Sequence, residues 1–300
     1  MILQSLLGFV AALLLAPLLA GVTNRVKAVI AGRCGQPVLQ LYLDLLKLMR
    51  KGSVFSSTTT WLFRAGPVVG LASVVLAMTI VPCAGSPGLV SFTGDFILLA
   101  YVLGLARFFT VLAALDTGSS FEGMGASREM LYGMLAEPAL VIGLVALGRA
   151  THEWSLAGMC RGIGPLGTTG SVSALAAAAL ALVLLAETCR VPFDDPNTHL
   201  ELTMIHEVMV LDHSGPDFAF IQYTAALKFW LFGALMAAVL LPPAGNPWLA
   251  PAATCAALLV IAALVGIVES VMARVRLTKV PQLLVGAAAL ALFALMIQLR

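Results

Sequence analysis

The sequence predicts an all-α integral membrane protein with about eight transmembrane helices and amphipathic helices in its cytoplasmic loops. Three observations lead to this fold class: hydrophobic residues make up 60% of the 300 residues, charged residues only 11%, and the hydrophobic residues form continuous runs. A soluble domain carries about 25% charged residues, so this chain has too little polar surface to cover a globule. The net charge of +2 gives no reason to expect nucleic acid as a partner.

Eight apolar stretches are long enough to cross a hydrocarbon core, which takes roughly 20 residues of helix. We predict spans at Ile2–Val22, Trp61–Val81, Phe96–Leu115, Met130–Leu147, Val172–Ala186, Ala219–Leu241, Trp248–Val271 and Val280–Leu299. Their apolar residues are continuous rather than alternating, which argues against a transmembrane barrel. We expect the first run to be a retained span and not a signal peptide, because its positive charges follow it. Residues 1–300 are therefore treated as one transmembrane domain.

Positive charges in the loops orient the chain. Twelve of the 17 Lys and Arg residues lie in or beside the connections that follow odd-numbered spans, and three lie on the other side. Cytoplasmic loops carry the excess of Lys and Arg. We therefore expect a multi-pass protein of the prokaryotic cytoplasmic (inner) membrane with both termini outside. Its cytoplasmic loops are predicted at about 24–60, 116–129, 190–218 and 272–279.

Five ionisable residues lie within or at the ends of the predicted spans, namely Arg107, Glu137, Glu187, Lys228 and Glu269. A charge there costs about 3 kcal/mol or more unless it is paired or hydrated. Because consecutive spans alternate in direction, all five fall in the cytoplasmic half. We predict a hydrated internal path at Glu137 and Lys228, and an interfacial, snorkelling position for Glu269, which is close to Arg274. Coupled carboxylates and bases suit proton transfer.

Two cytoplasmic segments have helical patterns. Gln36–Arg50 is amphipathic, with apolar residues at i, i+3, i+4 and i+7, and such a helix lies in the bilayer surface. The second pattern, Asn197–Gly215, follows the helix-stopping Pro192 and Pro196. As a helix it would place one apolar stripe at Leu200, Met204, Val208 and Leu211.

Histidine and cysteine spacing does not indicate a metal site. His199, His206 and His213 are separated by seven residues, a rise of about 10.5 Å on a helix, whereas one zinc ion holds its nitrogen ligands about 2 Å away. The five cysteines are scattered and form no C-x-x-C pair, so an iron–sulfur cluster is not expected. We predict no catalytic, cofactor-binding or metal-binding residues in this chain.

The stretch Glu187-Thr-Cys-Arg-Val-Pro-Phe-Asp resembles the E-x-x-R-x-P-F-D signature of the complex I subunit 1 family. This family includes the quinone-binding membrane component of NADH–quinone oxidoreductase and the equivalent membrane component of group 4 [NiFe] hydrogenases and formate hydrogenlyases. The continuation, His199–Glu207 and then Leu211–Gly215, resembles the hydrogenase branch more closely. The family's other two cytoplasmic loops are matched by Ser127-Arg128 with Glu137, and by Gly32-Arg33 with Gln40, Asp44 and Lys47.

The resemblance implies a fold, a place and a role. The fold has eight helices, of which the second to sixth resemble half of an antiporter-like channel. The chain would lie in the lipid bilayer beside antiporter-like membrane subunits. Hydrogenase-like large and small subunits and an iron–sulfur subunit would contact its cytoplasmic side and carry the [NiFe] and iron–sulfur centres. The chain itself, a membrane subunit of an oxidoreductase, would hold no redox cofactor and would couple electron transfer to proton or sodium movement.

The resemblance also implies roles for individual residues. The carboxylates of the ion-coupling path would be Glu137, Glu187, Asp194, Glu201, Glu207 and Asp212. Their cationic partners would be Arg107, Arg128, Arg190 and Lys228. The interface with the peripheral arm would include Arg33, Gln40, Asp44, Lys47, Asp116, Glu122 and Asp195.

Departures from the quinone-reducing relatives favour the hydrogenase branch. Those relatives carry glutamates where this chain has Asn197 and His199. They also carry a carboxylate at the entry to the sixth span, whereas Asp217–Ala226 has none here beyond Asp217, and Lys228 follows. The alternative is the quinone-binding membrane component of a complex I-type NADH–quinone oxidoreductase, and only then would a quinone bind. A stand-alone secondary transporter would show an internal repeat, and none is evident. A passive anchor for a soluble enzyme is a further interpretation.

Overall fold

Helices form wherever the sequence offers a long apolar run. The computed structural model describes residues 2–82, 87–163, 168–194, 204–241 and 249–298, and in these ranges all regular structure is helical. The ten α-helices are α1 (Ile2–Ile30), α2 (Gln40–Met49), α3 (Trp61–Ile80), α4 (Asp95–Asp116), α5 (Ser120–Thr151), α6 (Leu156–Gly162), α7 (Thr168–Glu187), α8 (Gly215–Leu240), α9 (Ala250–Val271) and α10 (Val280–Ile297). Short 3₁₀ helices lie at Glu207–Val210 and Leu277–Lys279.

Within the described ranges, eight helices are long and apolar enough to cross a membrane, judged by length and composition. They are α1, α3, α4, α5, α7, α8, α9 and α10, and they correspond one by one to the eight predicted spans. The all-α membrane fold class is therefore confirmed. The remaining helices, α2 with 10 residues and α6 with 7, are too short to cross.

α8 forms the centre of the bundle. In the most apolar 18-residue segment of α8, 72% of the residues are buried, against 28–50% in the corresponding segments of the other seven spans. It contacts α1, α3, α7 and α9, while α10 packs against α5 and α7. The outer helices keep large apolar side chains exposed, such as Leu14, Tyr101 and Phe293, as expected for surfaces that face lipid.

Two spans are longer than hydropathy predicts. α1 continues past Val22 to Ile30, and α5 begins at Ser120 instead of Met130. Charged residues in these extensions find partners inside the bundle. Lys27 lies 2.7 Å from Glu269, and the buried Glu122 accepts a hydrogen bond from the Thr117 hydroxyl at 2.5 Å. Hydropathy assigns such charged residues to loops because the score of a segment takes no account of the partners that those residues find elsewhere in the chain.

The amphipathic helix predicted at Gln36–Arg50 is present as α2. The helix predicted over Asn197–Gly215 is not continuous. Residues 195–203 lie outside the described residues, Met204–His206 is not helical, and only Glu207–Val210 forms a short 3₁₀ helix. The apolar stripe predicted for this helix does not form one buried face either, because Val208 is buried whereas Leu211 is 52% exposed.

Tertiary contacts explain this departure. The Asp194 carboxylate accepts hydrogen bonds from the backbone N–H groups of Ile205 at 3.0 Å and His206 at 3.4 Å. Further along, the His213 ring stacks on Phe63 with centroids 3.9 Å apart. These contacts replace the regular hydrogen bonds of a helix. The argument against a shared metal ion assumed that His206 and His213 lie on one continuous helix, and this assumption does not hold. His199 lies outside the described residues.

Candidate functional site

Charged side chains meet at one end of the bundle, where α4 and α7 end and α5 and α8 begin; we call this the charged end. There the Arg107 guanidinium of α4 forms ion pairs with Glu137 of α5 and Glu187 of α7. Its Nε also lies 3.5 Å from Glu129 of α5. The Arg107 side chain is only 7% exposed, so its charge is stabilised by carboxylates and not by bulk water.

Local helix geometry makes room for this arginine. Glu129, Gly133 and Glu137 are four residues apart on α5 and share one face. A Cβ atom at Gly133 would overlap the Arg107 guanidinium in its present position, so glycine leaves room for this close approach. Lys228 of α8 extends the group, with its Nζ 3.9 Å from Glu187. We call Arg107, Glu129, Glu137, Glu187 and Lys228 the Arg107 cluster.

A second group surrounds Glu269 of α9. Its carboxylate is fully buried and lies 2.7 Å from Lys27 of α1 and 3.3 Å from Arg190. The Arg190 guanidinium also lies over the Phe229 ring at 5.1 Å. The prediction of an interfacial, snorkelling Glu269 is wrong, because the α1 extension brings Lys27 to it. We call Glu269, Lys27 and Arg190 the Glu269 cluster.

Asp194 organises the segment that follows α7. Besides accepting the two backbone hydrogen bonds described above, it pairs with Arg274 at 2.9 Å. Arg128 supports the same segment from α5, donating to the Met204 carbonyl at 2.8 Å. Asp194 and Arg128 thus hold residues 204–206 against the charged end.

The other predicted residues are distributed around this core. Glu122 is buried and also accepts the Asp212 N–H at 3.3 Å. Asp116 accepts two hydrogen bonds from Thr60, at 2.6 and 2.8 Å. Arg33 and Lys47 are exposed, and Gln40 donates to Asp44 at 2.9 Å. Glu207 is partly buried in the 3₁₀ helix. Asp195 and Glu201 lie outside the described residues.

Two cavities meet at the charged end. The inner cavity, of about 50 Å³, is lined by Glu187, Lys228 and His213 among others. The outer cavity, of about 310 Å³, lies beside α2 and is lined by Gln40, Asp44 and Arg190 among others. Four residues line both cavities and form the wall between them, namely Thr188, Cys189, His206 and Ala225.

The two described histidines of this region are neutral near pH 7. Burial lowers the pKa of His206, and burial lowers the pKa of His213 to about 4. His206 also takes part in the one group of possible metal ligands found in the described part of the chain. One ligand atom each from Glu129, Cys189 and His206 lie within 4.8 Å of one another.

Sequence reasoning identifies Arg107, Glu137, Glu187 and Lys228 as a group, and the fold brings these four together. It misses Glu129, Lys27, Cys189 and His206, and it misjudges Glu269. A signal for Glu129 exists in its i, i+4, i+8 spacing with Gly133 and Glu137. That signal is readable only if α5 is known to begin before Met130.

Comparison with known proteins gives consistent matches along the chain. The family model described as NADH dehydrogenase matches residues 3–299. Formate hydrogenlyase subunit 4 of Escherichia coli (strain K12) is 31% identical over 278 residues, covering 89% of this chain and 89% of that protein. Hydrogenase-4 component C of the same organism is 32% identical over 237 residues, covering 77% of this chain and 72% of that protein.

A solved structure has the same fold. It is a chain in the structure of the membrane-bound sulfane sulfur reductase, an archaeal respiratory membrane complex. The two chains align with a TM-score of 0.81 and 18% identity, covering 99% of this chain and 98% of the other. At this identity the likeness concerns the fold alone.

Proposed function

Since the chain belongs to the NADH dehydrogenase family, we propose that it is the redox-cofactor-free membrane subunit of a group 4 hydrogenase- or formate hydrogenlyase-type respiratory complex. In this role it anchors the peripheral redox arm and couples electron transfer to proton or sodium translocation. The resemblance to the complex I subunit 1 family and its hydrogenase branch is confirmed by the family match and the two E. coli relatives. The chain is a multi-pass membrane protein related to subunits of oxidoreductase complexes.

The Arg107 cluster is the observation that carries the coupling role. Three carboxylates, Glu129, Glu137 and Glu187, share the two cations Arg107 and Lys228. One carboxylate is therefore in surplus, and adding a proton to the group relieves like-charge repulsion instead of breaking every pair. Glu137 is 42% exposed while Glu187 is 6% exposed. The group thus offers a graded route from a partly exposed carboxylate to a buried one.

The proposed placement follows from charge and exposure. The charged end faces the cytoplasm, because its loops carry the excess of Lys and Arg. Both termini lie on the opposite, outer side of the inner membrane. Arg33 and Lys47 are exposed at the charged end, beside Gln40 and Asp44. They form the surface that meets the hydrogenase-like and iron–sulfur subunits, which carry the [NiFe] and iron–sulfur centres. Antiporter-like membrane subunits complete the complex.

One observation favours the alternative, a quinone-binding membrane component of a complex I-type enzyme. The outer cavity of about 310 Å³ is at the lower bound of the volume typical of small-molecule sites. An assay of hydrogen evolution by the purified complex separates the two functions. Hydrogen evolution supports the hydrogenase type, whereas quinone reduction without hydrogen evolution supports the alternative.

Reconstituted liposomes test the coupling itself. We expect Glu187→Gln and Glu137→Gln to lower ion movement per turnover at least tenfold, while redox turnover is retained. The ratio is measured with a pH-sensitive or sodium-sensitive dye beside the redox assay. Glu153→Gln is the matched control, because Glu153 is exposed and lies beyond the C-terminal end of α5, outside the Arg107 cluster. Normal ion movement in both cluster variants at an unchanged redox rate would reject the coupling role. The chain would then be a passive anchor for the redox subunits.

A further inference from the structure

We propose that Glu129, Cys189 and His206 form a binding site for one divalent transition-metal ion of the zinc class. One ligand atom from each residue lies within 4.8 Å of the other two. Around a tetrahedral zinc ion with bonds of about 2.0–2.3 Å, ligand atoms are roughly 3.3–3.7 Å apart. The ligand atoms therefore need to approach one another by at most about 1.5 Å.

Three separate elements supply the ligands. Glu129 lies on α5, Cys189 follows the end of α7, and His206 immediately precedes the 3₁₀ helix at Glu207–Val210. The backbone of His206 is held by Asp194, which accepts its N–H at 3.4 Å. The imidazole is thus brought to the other two ligands by a fixed main chain, as preorganised metal sites require.

The chemistry of the donors selects the metal. A thiolate, an imidazole and a carboxylate are the ligands of zinc and similar ions, whereas calcium and magnesium take oxygen ligands. The Nδ1 atom of His206 is buried and has no hydrogen-bond partner among the described residues. Coordination would satisfy this atom. At Cys189 a metal–sulfur bond replaces the sulfur–hydrogen bond, and one proton is released to solvent.

The surrounding charges favour a cation. The charges that act most strongly on His206 are three carboxylates, Glu129, Asp194 and Glu187, and one cation, Lys228. Arg107 lies 3.5 Å from Glu129 and competes for that carboxylate. Glu129 is therefore the weakest of the three ligands.

The position gives the site a consequence. Cys189 and His206 line both cavities, so a bound ion would sit in the wall that separates them. It would tie α5 to the segments after α7 and before α8. Binding therefore holds the charged end in one arrangement and stabilises the folded chain.

Zinc content of the intact complex tests the site. The purified complex is stripped with a chelator, equilibrated with Zn²⁺, desalted, and analysed by elemental mass spectrometry. We expect Cys189→Ser and His206→Gln each to hold one zinc ion fewer per complex than the wild type. Cys255→Ser is the matched control, because Cys255 lies on α9 away from the cluster, and it keeps the wild-type content. Equal zinc content in all four proteins would overturn the proposal.

Thermal unfolding gives a second, independent readout. Zn²⁺ should raise the Tm of the wild type and of Cys255→Ser, and should leave Cys189→Ser and His206→Gln unshifted. If one variant does not assemble, the other decides alone, and Glu129→Gln, which keeps two ligands, should bind zinc more weakly than the wild type. A Tm shift shared by all variants would assign zinc to other subunits. Neither measurement depends on ion translocation, so this site and the proposed function fail separately.

Discussion

The Arg107 and Glu269 clusters lie at the same end of the bundle and use the same residue types, yet their charge balance is opposite. The Arg107 cluster has three carboxylates for two cations, and one of its carboxylates, Glu137, is 42% exposed. The Glu269 cluster has one carboxylate, fully buried, for two cations. We infer that the sign of the surplus charge separates the roles of the two clusters.

A surplus carboxylate can accept a proton while every cation keeps a partner. The Arg107 cluster therefore suits proton or ion transfer. Protonating Glu269 would instead leave Lys27 and Arg190 facing each other without an anion. The Glu269 cluster joins α1, α9 and the turn after α7, and we expect it to act as a clamp that contributes to stability.

The largest expected effect is that of Glu269→Gln. Removing the carboxylate leaves two partly buried cations without a counter-ion, and breaking a buried pair costs about 3–5 kcal/mol. Denaturant or thermal unfolding of the purified complex should show this loss in the free energy of unfolding. Lys27→Met added to Glu269→Gln should restore part of it. A loss no greater than that of the exposed control Glu153→Gln would contradict the clamp.

His213 offers a contrast to both clusters, because it is a buried ionisable residue that has no ion pair among the described residues. The folded protein therefore favours its neutral form. Burial lowers its pKa to about 4, whereas an unfolded chain has a value of about 6.5. Between these values the unfolded chain binds the proton more strongly. Stability is therefore complete above pH 6.5 and falls by about 3 kcal/mol as the pH drops to 4.

Unfolding measured across this pH range checks the His213 prediction. His213→Phe keeps a ring on Phe63 and should flatten the dependence. His152→Gln, a change at an exposed residue beside the C-terminal end of α5, should keep the wild-type slope. An unchanged slope in His213→Phe would show that other groups set the acid limit.

A smaller effect is expected at Gly133, which separates crowding from charge in the Arg107 cluster. Gly133→Ala places a methyl group against the guanidinium and should cost about 1–3 kcal/mol, with reduced ion movement per turnover. Gly123→Ala is the matched control on the same helix. No atom lies within 4 Å of its added Cβ, and alanine's helix propensity should leave stability equal or raise it by about 1 kcal/mol. Equal losses in both variants would point to helix flexibility instead of the arginine contact.

Much of the fold and part of the site follow from local sequence. Hydropathy summed over about 20 residues finds each of the eight spans, and span direction places Arg107, Glu137, Glu187 and Lys228 at one end. The partner of Glu269 does not follow, because Lys27 belongs to a stretch that hydropathy treats as a loop. The helix expected before Gly215 fails for a related reason, since Asp194 captures the backbone of Ile205 and His206.

By itself the sequence determined the fold class, the number of spans and the end at which the charges gather, because these depend on composition within short windows. The resemblance of Glu187–Asp194 to a family signature indicated the kind of complex. Only the tertiary structure decided which charges pair, which are surplus, and that Glu129, Cys189 and His206 meet. These depend on contacts between residues such as Arg107 and Glu187, 80 positions apart, and no local window contains both partners.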